Sequence, residues 1–300
     1  MKFGRTAALF MTLITLVGCR TAAGVSTLPV EPPLPLTLVP VPSAPPIRLV
    51  YGPDVDNVGE LYLPDNDADS VPVVVMVHGG GWLSKPDMTH FRPLAEAVAE
   101  RGIAVWNIEY RRERNDYKDT LTDIDNAIDI LATTAQEAAG GRLDLDRVQV
   151  AGHSAGGQLA AWAASRHTLP ASAPWAQPRV KPRNATIMAG VFDMARAARS
   201  EGDRFVPRFL GGMPDDIPER YALASPIRHL PTDVTITAIH GDTDKTVSAG
   251  QSLDYIEAAR LAGDRAESII LPGVGHGDFL DPRSIAWSTT VDTITAHAES

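Results

Sequence analysis

The chain contains a single cysteine in 300 residues, Cys19, so no disulfide can form within it. It also lacks any excess of positive charge: 27 Lys and Arg stand against 37 Asp and Glu, a formal net charge of −10. That balance argues against nucleic acid as a partner and against electrostatic adsorption to anionic lipid. No apolar run is long enough to span a bilayer as mature structure, since the one candidate, Ala7 to Val17, is too short. No spacing of cysteine and histidine suggests zinc, so no metal or other cofactor is expected. No internal repeat is visible. What is present is ordinary for one large globular domain: 44% hydrophobic and 21% charged residues, enough for a sizeable core.

The N-terminus stands apart from that domain. Lys2 and Arg5 precede the apolar run, so residues 1–18 are expected to be a signal peptide. Leu16-Val17-Gly18-Cys19 resembles the bacterial lipoprotein cleavage pattern, in which the cysteine becomes the lipidated first residue. An ordinary secretory signal with an incidental cysteine is the alternative. With Arg20 rather than Asp next, the resemblance implies outer-membrane placement, facing periplasm or surface. Residues 20–46 carry eight prolines, too many for a helix or a regular strand. The stretch 19–46 reads as an extended tether, and the folded domain as 47–300.

Within 47–300, short strands at 48–51 and 60–63 open the fold, and Val73 to Val77 is a β-branched run suited to burial on both faces. Helical and strand patterns then alternate. Helices are expected at 91–101, 120–139 (capped by Asp119), 252–261 and 283–297, and strands at 103–108, 148–151, 185–189, 234–239 and 268–271. Such alternation means βαβ units, hence an α/β fold with a mostly parallel central sheet and helices on both faces. Residues 192–227 interrupt the pattern and read as a short cap insertion.

Three strand ends carry chemistry. Gly152-His153-Ser154-Ala155-Gly156 lies between a strand and a helix-prone run, a sharp turn with a serine at its apex. Asp242 and Asp244 follow the strand at 234–239, and His276 follows the one at 268–271. A serine hydroxyl needs a base to take its proton and an acid to orient that base, and the order Ser, Asp, His supplies both. His78-Gly79-Gly80-Gly81-Trp82 directly follows the strand at 73–77, where bare backbone N–H groups can meet a substrate oxygen.

Together these motifs resemble the α/β-hydrolase esterases with an HGGG loop, the hormone-sensitive-lipase-like group. Tyr110-Arg111, Ala224-Ser225-Pro226, His240-Gly241-Asp242-Thr243-Asp244 and Gly275-His276 are closer to the bacterial feruloyl or acetylxylan esterase branch, with arylformamidase-like relatives. The likeness spans nearly all of residues 50–295. It implies Ser154 as nucleophile, His276 as general base, Asp244 as its acid, and Gly80, Gly81 and Ala155 as oxyanion donors, with Gly79 shaping the loop. Asp242 is the competing acid, or a loop brace. Trp82 and Tyr110 are expected to line the substrate pocket, and His78 to fix the glycine loop. Asp123, Asp125 and Asp129 read as a solvated helix face rather than a metal cluster.

The expected function is a membrane-tethered serine carboxylesterase acting on short-chain acyl or aryl esters, small or polymer-linked. An amidase or arylformamidase uses the same machinery. A surface-anchored binding module is the non-enzymatic alternative. Oligomeric state is not legible.

Overall fold

A computed structural model of the protein describes residues 44–113, 115–200 and 203–300. The expected signal peptide, the acylation site at Cys19 and the tether up to residue 43 lie outside the described residues.

The chain enters through β1 (Ile47–Val50) and β2 (Val58–Tyr62), an antiparallel pair. β3 (Val71–Val77), β4 (Ala104–Ile108), β5 (Leu143–His153), β6 (Asn184–Met188), β7 (Thr235–Gly241) and β8 (Ala266–Leu271) follow, all mutually parallel. They form one eight-stranded sheet in the order β1-β2-β4-β3-β5-β6-β7-β8. The β-branched run of β3 sits at its centre, where both faces are covered. Val73, Val75 and Val77 point into one core layer, and Val74 and Met76 into the other.

Helices α1 (Arg92–Ala99) and α9 (Ile285–Ala298) cover the Val74 face. The opposite face is covered by α2 (Tyr117–Asp129), α3 (Thr134–Ala138), α4 (Ala155–Ser165) and α8 (Gly250–Ala262). Helices α5 (Met194–Ala198), α6 (Phe205–Leu210) and α7 (Pro218–Ala224) occupy the insertion between β6 and β7. Among the described residues, no helix is long and apolar enough to cross a membrane.

Two local expectations are corrected. The single helix expected over 120–139 is two, joined by a 3-10 turn over Ile130–Ala132 and by Thr133 outside helical geometry (φ −137°, ψ −107°). Its N-cap is Asp116, not Asp119. Asp116 accepts the Lys118 N–H, while Asp119, at the third helical position, accepts the Asp116 N–H, which closes a capping box.

The acidic residues of α2 are not a solvated face. Asp123 is fully buried, and Arg111 grips it through Nη2 to Oδ1 at 2.7 Å and Nε to Oδ2 at 2.9 Å. Asp125 and Asp129 hold the guanidinium of Arg166 at 2.8 and 2.9 Å, and that side chain is 0% exposed. Helical spacing placed the carboxylates, but the arginines that engage them lie outside the helix, Arg111 just before it and Arg166 after α4. Among the described residues, no group of side chains is set to hold a metal.

Candidate active site

The parallel strands end on one edge of the sheet, and the candidate residues leave from those ends. Ser154 follows β5 with φ 57° and ψ −119°, a conformation that a residue with a side chain adopts only under constraint. Its own N–H donates to Met188 O at 2.9 Å, and α4 begins on the next residue. The two flanking glycines explain how the turn closes. A Cβ on Gly152 would lie 2.2 Å from Gly156 O, and one on Gly156 would lie 2.1 Å from Val77 O, so neither position has room for a side chain.

His276 reaches Ser154 from the loop after β8. Its Nε2 is 2.9 Å from Ser154 Oγ, and its Nδ1 is 2.7 Å from Asp244 Oδ2. Nδ1 faces a carboxylate, so Nδ1 carries the proton and Nε2 presents its lone pair to the serine hydroxyl. The Asp244 side chain is 0% exposed and fully engaged. Its Oδ1 accepts the N–H groups of Thr246 at 2.8 Å and Val247 at 3.0 Å, and its Oδ2 also lies 3.3 Å from His240 Nε2. Burial pushes this carboxyl up, but the bonds from His240, His276 and Val247 outweigh burial and hold it well below the usual carboxylate range. Asp242 is placed apart. It is exposed, and its Oδ1 accepts the Gly273 N–H at 2.7 Å, bracing the loop that carries His276.

The glycine loop packs against the elbow. A Cβ on Gly79 would lie 2.8 Å from His153 O and 3.2 Å from Ser154 Cβ, so the loop backbone rests directly on the serine. The N–H groups of Gly80, Gly81 and Ala155 have no hydrogen-bond partner among the described residues. Ala155 opens a helix, where its N–H lacks an intrahelical acceptor, and the helix N-terminus adds positive potential. Three free donors beside a serine–imidazole pair are what a developing alkoxide oxygen requires.

Below the loop lies a brace of which sequence reasoning names His78 but misses Glu109. His78 Nε2 is 2.9 Å from Glu109 Oε1, and the same carboxylate accepts from Arg112, from Met88 N–H at 3.1 Å and from Tyr110 N–H at 2.9 Å. Burial pushes Glu109 up, while His78 and Arg112 more than offset it and keep the carboxyl below its ordinary range. A Glu at a strand end two residues before Arg111 was the available signal.

Tyr110 does not line the pocket. It is 0% exposed, its hydroxyl donates to His78 O at 2.7 Å, and its ring stacks on His78 at 4.6 Å. It is a strut for the loop. Trp82 is likewise almost wholly buried: its Nε1 donates to Gln158 Oε1 at 3.2 Å, and its ring stacks on Phe209 of α6. Gln158, one turn after Ser154, in turn donates to Ala224 O at the end of α7. The side chain that meets the loop from outside is Phe205, 44% exposed, whose Cδ1 would be 2.6 Å from a Cβ on Gly81.

Comparison with known proteins agrees with this arrangement. The BD-FAE family model matches residues 60–258, about two thirds of the chain. The chain belongs to the BD-FAE family. Among curated relatives, isoprenylcysteine alpha-carbonyl methylesterase ICME of Arabidopsis thaliana is 28% identical over 271 residues, covering 84% of this chain and 62% of that protein. The chain thus spans about three fifths of its relative's length. A bifunctional GH43-CE protein of Bacteroides eggerthii superposes with a TM-score of 0.71 at 26% identity, over 84% of this chain and 38% of that one. Est2, an esterase of Thermogutta terrifontis, gives 0.65 at 26% identity over 83% and 89% of the two chains. Other structures of Est2 hold propionate or butyrate, or are phosphonylated by sarin. The fold of this BD-FAE member is therefore that of the α/β-hydrolase esterases.

Proposed function

We propose that the protein is a serine carboxylesterase acting on short-chain acyl esters, with the alcohol part small or carbohydrate-linked. The observation that carries the reading is the unbroken relay Ser154 Oγ, His276 Nε2 at 2.9 Å, His276 Nδ1, Asp244 Oδ2 at 2.7 Å. Its support from relatives is the esterase naming of ICME and Est2, the short acids bound to Est2, and the carbohydrate-esterase half of the Bacteroides eggerthii protein.

In this reading Ser154 Oγ attacks the ester carbonyl as its proton passes to His276 Nε2, and Asp244 stabilises the imidazolium that results. The oxyanion takes the N–H groups of Gly80, Gly81 and Ala155. Collapse expels the alcohol, which receives the proton from His276, and leaves an acyl-Ser154 ester. Water, deprotonated by His276, then releases the acid. The N-terminal pattern supports export and a lipid anchor at Cys19, which would hold the enzyme at a bacterial membrane, the outer one given Arg20.

A fluorophosphonate probe and a panel of acetyl to decanoyl aryl esters, with methyl ferulate, acetylated xylan and N-formylkynurenine, test the proposal. Wild type should label at Ser154 and prefer the short acyl esters, and folded Ser154→Ala should do neither. Turnover by Ser154→Ala near the wild-type rate would refute it.

A further inference from the structure

His153, the residue just before Ser154, belongs to no part of the relay described above, yet it touches the relay's base. Its Nε2 lies 2.9 Å from the backbone carbonyl oxygen of His276, and its ring sits 4.6 Å from the His276 ring, tilted by 42°. The Phe279 ring lies 5.7 Å from that of His153, tilted by 35°. The residue is 5% exposed.

A carbonyl oxygen only accepts, so Nε2 is the protonated nitrogen of His153 and the ring is the Nε2–H tautomer. Burial, with the nearby His276 acting in the same direction, pushes the imidazole down to about 3, against weaker upward pulls from the His276 carbonyl and Asp244. The ionisable groups facing it are His276, Asp244 and His240. The ring therefore stays neutral while His276 gains and loses its proton, and sets no fixed charge against the imidazolium.

The topology explains why such a bond matters. Ser154 leaves β5 and His276 leaves the loop after β8, with β6 and β7 between them. The nucleophile and its base are thus held by strands that do not touch. We propose that His153 is a positioning residue for the esterase reaction: its Nε2–H pins the His276 main chain to the nucleophile's own backbone and sets the Oγ–Nε2 approach. This rests on the serine-esterase reading of the site.

Misplacing a reacting group by about 1 Å can cost about 100-fold in rate. His153→Gln keeps an N–H at similar reach, whereas His153→Leu removes it. The expected result is a kcat lowered by on the order of 10- to 100-fold in His153→Leu with KM little changed, and at least half the wild-type kcat in His153→Gln. Wild-type turnover in His153→Leu, or equal loss in both variants, overturns the proposal. Should the Leu variant not fold, the nitrogen NMR spectrum of histidine-labelled wild type decides. A neutral His153 ring protonated at Nε2 at pH 7 upholds the proposal, and one protonated at Nδ1 overturns it. That spectrum does not depend on turnover, so an inactive wild type would sink the esterase reading without being mistaken for a failure of this one.

Discussion

Trp82 and Phe209 lie face to face, ring centroids 4.8 Å apart and 11° from parallel. One belongs to the glycine loop and the other to α6 of the insertion, so the cap and the donor loop are packed as one unit. Arg208, the neighbour of Phe209, adds an ion pair to Glu113, whose Oε2 accepts the Ser84 N–H at 2.8 Å just beyond the loop.

Phe209→Ala removes the stack and its edge-on contact with Tyr117. Stability should fall by about 1–3 kcal/mol, less than the roughly 3–5 kcal/mol of a fully buried aromatic truncation because Phe209 is only half-buried. With the cap loosened, KM for an aryl ester should rise more than kcat falls. Urea unfolding and steady-state kinetics on the same preparation check this, and an unchanged KM would show that the cap takes no part in binding.

The two aspartates of the 242–244 turn separate cleanly. Asp244→Asn deprives His276 Nδ1–H of its carboxylate and permits the wrong tautomer, so kcat should fall by about 10³–10⁴. Asp242→Asn weakens only one bond to Gly273 N–H at an exposed site, and less than about tenfold is expected. Comparable losses in both would mean that the acid has been misassigned.

Stability should decline on acidification through the buried histidines, against a partial gain from Asp125, whose carboxyl burial pushes up to about 6. His153 is held down to about 3, and His167, His229 and His297 are also lowered, in each case first by burial. Unfolded histidines titrate near about 6.5, so below that pH the unfolded chain binds protons that the native one refuses, and unfolding gains. Asp244, held low in the native state, adds to the loss only below about pH 4. Urea midpoints at pH 7, 6, 5 and 4 should fall steadily, and less steeply in His153→Gln. A flat series contradicts the buried, neutral state of these rings.

Arg166→Met leaves Asp125 and Asp129 around an apolar side chain. Breaking a buried pair by removing one partner costs about 3–5 kcal/mol. Thermal unfolding should show a loss of that size, with activity of the remaining folded protein intact. A stability change under about 1 kcal/mol would mean the cluster is hydrated after all.

That cluster also marks where sequence reading ends. The run Val73 to Val77, the glycines around Ser154 and the order of Ser154, Asp244 and His276 are legible because each is a local pattern with one physical solution. Buried ion pairs are not of this kind. Asp123, Asp125 and Asp129 look solvated on a helical wheel, and Arg111 for the first and Arg166 for the other two become their partners only through tertiary packing. Tyr110 was misread for a related reason: an aromatic residue past a strand end has the same local pattern whether it lines a cleft or props a loop from beneath. The Asp116 cap was missed by one helical turn, since Asp116 and Asp119 both suit a helix start and the capping box uses both.

The strand order has one more consequence. Among the described residues β8 is an edge strand, hydrogen-bonded to β7 on one side only, and it carries the loop that ends in His276. Edges fray before centres do. Heat should therefore silence the proposed esterase activity below the melting temperature, through a margin that opens and recloses while the central strands stay folded.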